Sequence, residues 1–319
     1  MTILYPHLKL ARFVLEAVSP LSVASGRSGT RFDTSIVRDA NGLPTIPGTS
    51  LAGVLRHLCA AEGFDARDLF GHARTRRDED GEDNPSRVSV SWGAVMDSNG
   101  RAVEGLLLGD AARRLRDPLL SLLRQDSPVT RRRVRIGHKG AADAEQRGLF
   151  DRTAVPRGTR FAFEIMVQDD DPRRLAEDWT RLRALLAHPA LRLGGATRAG
   201  LGEVRCVRWH EAGFDLTDPE DWRRFRALDA ALDSLAGLEE ADVGGQGSDR
   251  WERRTFRLDP EAGWRIGGTS DVPLADRDDK APDDVPHHER VIVWNGAGAE
   301  IRHQQVVAPA SGIKGALSH

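Results

Sequence analysis

Leu43-Pro44-Thr45-Ile46-Pro47-Gly48-Thr49-Ser50-Leu51-Ala52-Gly53-Val54-Leu55-Arg56-His57 is the stretch from which the rest of the 319-residue chain can be read. Pro47-Gly48 reads as a turn, and Thr49 or Ser50 is placed to cap a helix by accepting from its free N–H groups. Leu51, Val54, Leu55 and Leu58 then recur at helical spacing, which gives a helix over 49–61 one core-facing side. A helix N-terminus behind glycine and hydroxyl residues, here with Ser50 at its head, is a seat for a phosphate. Many helices begin this way, so the signal needs company.

A second copy supplies it. Ala308-Pro309-Ala310-Ser311-Gly312-Ile313-Lys314-Gly315-Ala316-Leu317-Ser318-His319, laid without a gap on 46–57, matches Pro47, Gly53, Leu55 and His57. A strand-like run ending in small residues precedes each copy. Phe13-Val14-Leu15-Glu16 leads to Ser25-Gly26, and Phe256-Arg257-Leu258-Asp259 leads to Gly267-Gly268. Two elements repeated in one order argue for a duplicated domain. The expected organisation is a complete domain over 1–209, a helix and Gly-rich linker over 210–250, and the N-terminal part of a second domain over 251–319. The second copy stops inside its own helix, so 251–319 are expected to be poorly ordered or packed on a neighbouring molecule.

The formal net charge is −2. No global field draws such a chain to nucleic acid, and any RNA-binding surface has to be a local basic stripe. The only cysteines, Cys59 and Cys206, suit a reduced, intracellular protein. Residues 1–7 have neither the basic start nor the apolar run of a signal peptide. No stretch approaches a membrane span, so the reading is a cytoplasmic protein without a membrane partner. His57, Cys59 and His72 lack the paired spacing of a zinc site.

Residues 9–18 read as the first strand and 87–92 as another; 156–167 is the clearest, with Phe161, Phe163, Ile165 and Val167 on one face. Helices are expected over 110–123 and over 172–188, the latter turning Leu175, Trp179, Leu182 and Leu186 inward. A further helix begins at Thr217-Asp218-Pro219, with Trp222, Phe225, Leu228, Leu232 and Leu235 along one side. Strand, loop, helix, strand, then strand, helix, strand is the order of a ferredoxin-like α+β fold with insertions. The open sheet of that fold suits single-stranded RNA.

Thr130-Arg131-Arg132-Arg133-Val134-Arg135-Ile136-Gly137-His138-Lys139-Gly140 is the most basic segment and offers cations for phosphate. Gly194-Gly195-Ala196-Thr197-Arg198-Ala199-Gly200-Leu201-Gly202 can bring bare backbone N–H groups up to phosphate, with Arg198 adding charge. It is not a dinucleotide fingerprint, because the glycine spacing differs and a strand follows. A plain tight turn would use the same glycines.

Residues 46–56, then Leu69-Phe70-Gly71, then the glycine-rich run at 194–202, in that order, resemble the RAMP superfamily. These repeat-associated proteins form the backbone of type III CRISPR effector complexes. The resemblance spans roughly 8–209 and resumes at about 253. It implies a ferredoxin-like (RRM-like) domain with loop and thumb insertions, followed by the start of a second such domain. It implies guide RNA, target RNA and other CRISPR effector subunits as partners. Members often carry a lysine where Ala52 stands; Arg56 is the substitute phosphate contact, and the second copy keeps Lys314 at the matching place. The basic segment, through Arg131, Arg132, Arg133, Arg135, His138 and Lys139, becomes a thumb that wedges between bases of the guide–target duplex. The RNA-binding role of Gly194, Gly195, Arg198 and Gly200 rests on the same resemblance. Asp33, ahead of Ile36-Val37-Arg38-Asp39, occupies the place of the aspartate needed for target cleavage. A single carboxylate there can hold a hydrated Mg²⁺ or Mn²⁺ beside a phosphate.

The resulting expectation is a guide-RNA-binding backbone protein that acts as a metal-dependent endoribonuclease on guide-complementary RNA. Two alternatives within the superfamily stay open: an inactive structural backbone subunit, and a guide-processing endoribonuclease. The latter would want a catalytic histidine, and neither His7 nor His57 lies in a matching motif. A small-molecule enzyme would need a catalytic constellation that this sequence does not offer.

Overall fold

The computed structural model describes residues 5–26, 34–72, 83–134, 149–244, 251, 254–257, 259, 261, 267–268, 285–296 and 298–317. In chain order the elements are β1 (His7–Ala17), β2 (Thr45–Ile46), α1 (Gly48–Ala61), α2 (Ala66–Phe70), β3 (Val88–Val90), β4 (Gly93–Val95), α3 (Pro118–Leu123), β5 (Val129–Val134), β6 (Leu149–Ala154) and β7 (Arg160–Asp169). Then come α4 (Pro172–Leu186), β8 (Val204–Asp215), α5 (Pro219–Arg226), β9 (Glu239–Glu240), β10 (Gly267–Gly268), β11 (Val285–Pro286), β12 (His288–Asn295), β13 (Gly298–Val306) and α6 (Ala310–Leu317).

The main sheet is antiparallel, in the order β2-β4-β7-β1-β8-β9, with β3 also paired to β7. β1 is its centre, in register with β7 from His7↔Asp169 to Glu16↔Arg160 and with β8 from His7↔Asp215 to Ala17↔Val204. Since α1 joins β1 to the β3–β4 edge and α4 joins β7 to β8, the order is consistent with a ferredoxin-like fold. α1 and α4 pack on each other and on one face of this sheet. That face carries an aromatic row across three strands. Phe163 stacks on Phe13 at 5.4 Å, Phe13 meets Trp209 at 5.3 Å, and Trp179 from α4 closes on Trp209 at 5.7 Å. Both indoles donate to one Glu211 oxygen, at 2.8 and 2.6 Å, so neither polar edge is buried without a partner.

Leu51, Leu55 and Leu58 are buried as their spacing predicts. The start of α1 differs from expectation. Pro47 is the N-cap, no side chain caps the helix, and the Ser50 N–H bonds to the Pro47 carbonyl at 2.9 Å. The first helical residue has to be glycine, because a Cβ on Gly48 would fall on the Val90 carbonyl oxygen of β3. The expected helix over 110–123 is broken: a 3₁₀ turn at Gly109–Arg116 stops before Pro118, and Asp117 caps α3 by accepting from the N–H groups of Leu119 and Leu120.

The second face of the sheet is not open. Phe214 of β8 packs edge-on against Phe225 of α5 at 5.5 Å. α5 ends at Arg226, and the chain beyond it crosses the sheet irregularly instead of continuing as the expected helix. Arg12, 3% exposed, donates to the Ser234 carbonyl at 2.8 Å, to the Asp229 carbonyl, and to Glu164. Leu232 is buried with Val14, Met96, Ala102 and Ala162. Arg12 therefore takes up carbonyls that a longer helix would have bonded internally. The sheet surface expected to hold unstacked bases is filled with protein.

Residues 254–257 are exposed and form no strand, against the expectation for Phe256. β12 and β13 pair as a hairpin that packs against the sheet. The Ile292 N–H bonds to the Arg157 carbonyl at 2.9 Å, and Ala299 N–H to that of Ser98 at 2.7 Å. Trp294 donates to the Gly158 carbonyl at 2.7 Å. Gly158 has φ +88, and a Cβ on it would collide with the Ile292 backbone, so the docking needs glycine there. Ile292 is buried in the same core as Phe13.

Candidate nucleic-acid interface

β5 and β6 pair as an antiparallel hairpin from Val129↔Ala154 to Val134↔Leu149. Arg132 stands opposite Asp151 and Arg133 opposite Phe150 in that register. Arg131 is committed to the fold. Its guanidinium lies 2.8 Å from Glu289 and 3.2 Å from the His287 ring, and burial lowers its pKa from the ordinary value against the opposing pull of Glu289. Arg135, His138 and Lys139 lie outside the described residues.

Three strands of chain converge at the base of this hairpin. The Leu21 N–H bonds to Val155 O at 3.1 Å, and the Thr153 N–H to Thr34 O at 3.1 Å. Thr34 pairs with Arg152 in a parallel bridge, and Ile36 N–H donates to the Thr153 hydroxyl at 3.2 Å. Asp33 lies outside the described residues, and the chain that leaves it is thus bonded to β6. The glycine run closes the third side. Gly194 (φ +77) abuts the Ser22 carbonyl, and Gly195 abuts the Arg152 guanidinium.

The amides of this run are largely used within the protein. Gly195 N–H bonds to Ser22 O at 2.8 Å, Gly202 N–H to Pro20 O at 2.9 Å, and Gly200 N–H to Thr197 O at 3.1 Å. Gly200 also meets Ala310, so α6 packs on the 3₁₀ turn Thr197–Ala199. Arg198 is exposed on that turn and has no ion partner among the described residues. Lys314 is exposed on α6. Arg56 is exposed on α1, whereas Ser50 is half-buried in its first turn. The structure therefore gathers Thr34, Arg152, Gly194, Gly195 and the turn bearing Arg198, with α6 packed on that turn. Arg152 was missed in the sequence. The signal that would have found it is the hairpin register, which sets it opposite Arg131.

A family model for the RAMP superfamily matches residues 14–205, from the middle of β1 into β8. The chain belongs to the RAMP superfamily. A search of curated protein sequences finds no match to it. Membership implies a CRISPR-associated, RNA-binding role, with RNA and CRISPR complex subunits as partners. For this RAMP protein, no described helix is long and apolar enough to cross a membrane. Among the described residues no three His, Cys, Asp or Glu side chains are grouped as a metal site.

Proposed function

We propose that this protein is a guide-RNA-binding backbone subunit of a type III CRISPR effector, working in the cytoplasm and cleaving guide-complementary RNA. The observation that carries the reading is the convergence at the base of the β5–β6 hairpin. The chain leaving Asp33, the glycine run with Arg198, and the strands bearing Arg132, Arg133 and Arg152 meet there. Arginines along a hairpin, with the exposed Arg198 on a turn, supply phosphate contacts without a basic protein overall.

In this reading the hairpin and Arg198 fix the RNA backbone, and the Asp33 carboxylate stands beside the phosphate to be cut. A bound Mg²⁺ or Mn²⁺ would supply charge neutralisation at that phosphate. Asp39 serves the loop instead, because its carboxylate accepts from the Asn41 and Leu43 N–H groups at 2.9 and 2.8 Å and so sets the turn. The experiment is to isolate the protein from cells that carry its neighbouring genes and sequence the RNA bound to it. Short RNA of uniform length is expected; RNA of random length, or none, would defeat the reading.

A further inference from the structure

A cleft of about 410 Å³ lies between the β12–β13 hairpin and the end of the sheet. Arg157, Arg160, Arg205 and Arg302 line it, and Glu16 is the one carboxylate among the lining residues. Glu16 is already shared: Arg160 reaches it at 2.8 Å and Arg205 at 2.6 Å. Arg157 is exposed, and its side chain has no partner among the described residues. Among the described residues Arg302 pairs only with Glu300, at 4.0 Å, with both side chains more than half exposed, a pairing that contributes little. The chain as a whole carries −2, so this surplus of positive charge is local.

The cleft is also built, not incidental. The Arg160 guanidinium lies 4.1 Å over the Trp294 ring, whose N–H is fixed on the Gly158 carbonyl at 2.7 Å. That stack occupies one face of the indole and holds the Arg160 fork in place. Val291, Val293, Val306 and Val307 form an apolar wall, and Val306 is 70% exposed. Arginine forks for phosphate beside an apolar surface on which an unstacked base can lie suit a single strand of RNA.

We propose that this cleft is a second RNA-binding site, in which Arg157, Arg205 and Arg302 hold phosphates of a single strand and Val306 meets its sugar or base. The inference rests on the RNA-binding reading above but names a surface outside the β5–β6 hairpin and the glycine run. Arg157 follows β6 closely and Arg205 follows the glycine run, so one strand can be handed from those elements to the cleft.

The test measures binding of a fluorescent oligouridylate to the full chain across a salt series. Arg157→Ala with Arg302→Ala removes two cations that take no closer part in the fold. The double variant should bind about tenfold more weakly, and its slope of log affinity against log salt should fall by about 1.4, near 0.7 for each lost phosphate contact. 4-Thiouridine crosslinks to the peptide bearing Val306 should disappear with it. Arg132→Ala with Arg133→Ala separates the two claims. If that pair weakens binding while the cleft pair leaves affinity, slope and crosslinks unchanged, RNA binding stands and the cleft is overturned. If the wild-type chain binds no RNA, both fall. If an oligoglutamate binds with dependence on Arg157 and Arg302 while RNA binding ignores them, the cleft serves an acidic protein segment and the inference is wrong.

Discussion

Arg131 and Glu289 face each other at 2.8 Å, with side chains only 9% and 6% exposed. This pair ties the base of the β5–β6 hairpin to the start of β12, and His287 leans on both partners at 3.2 and 3.0 Å. The most basic segment of the sequence thus spends its first arginine on holding the C-terminal hairpin. Removing one partner leaves the other charge stranded in a poorly solvated place. Arg131→Ala should cost about 3 kcal/mol in urea unfolding and expose 288–306 to protease. Arg131→Met with Glu289→Met should cost less than Arg131→Ala alone. A single change without effect on either measurement would show that the pair holds nothing.

The two glycines of the motif helix should respond with opposite signs. A Cβ on Gly48 falls on the Val90 carbonyl, whereas one on Gly53 meets nothing within 4 Å. Gly48→Ala should therefore destabilise the protein by about 2 kcal/mol through forced displacement of β3. Gly53→Ala, on an exposed stretch of helix, should stabilise it by about 0.5–1 kcal/mol. Thermal melts of the two variants read both signs.

Asp169 carries a pH dependence. Burial pushes its pKa up, but hydrogen bonds from Arg174 and the Asp171 N–H, with the Arg87 charge, outweigh burial and bring it to about 2. A carboxyl with a depressed folded pKa adds stability above its unfolded pKa and loses it as pH falls through the folded one. The contribution is thus full at neutral pH and fades between about 4 and 2. Asp169→Asn should cost about 3 kcal/mol at pH 7. The gap from wild type in urea midpoint should shrink steadily as the medium is acidified towards pH 2. A gap that stays constant with pH would remove Asp169 as the source.

Asp33→Asn keeps the shape of the side chain and removes its charge. In the assembled complex, cleavage of guide-complementary RNA should fall by orders of magnitude while guide and target binding stay intact. Asp39→Asn is the control, because its oxygen can still accept from Asn41 and Leu43. Wild-type cleavage by Asp33→Asn in saturating Mg²⁺ would make this protein a structural subunit.

The helices and strands that face the common core were legible because their apolar spacing has one reading. Phe161, Phe163, Ile165 and Val167 alternate, and Leu175, Trp179, Leu182 and Leu186 recur by turns; all eight are buried. Leu228 and Leu232 continue the spacing of α5 equally well, yet the helix stops at Arg226. Beyond it the Asp229 carboxylate accepts from the Ala231 N–H in a local turn, and the remote Arg12 binds the Asp229 and Ser234 carbonyls, a contact that helical spacing alone does not record. The site divides in the same way. The basic run and the glycine run are visible as composition, but the Arg131–Glu289 pair and the amides bonded to Ser22 and Pro20 depend on which segments meet. Arg152 went unnoticed for that reason.

Equilibrium binding of single-stranded RNA to the full chain, followed from low to high salt, tests the RNA-binding account most directly. The account predicts a log affinity that falls linearly with log salt. It also predicts that Arg132→Ala, Arg133→Ala and Arg198→Ala together weaken binding to every sequence and reduce the slope by about 2, near 0.7 for each phosphate contact. Wild type and triple variant with the same affinity and the same slope would contradict it.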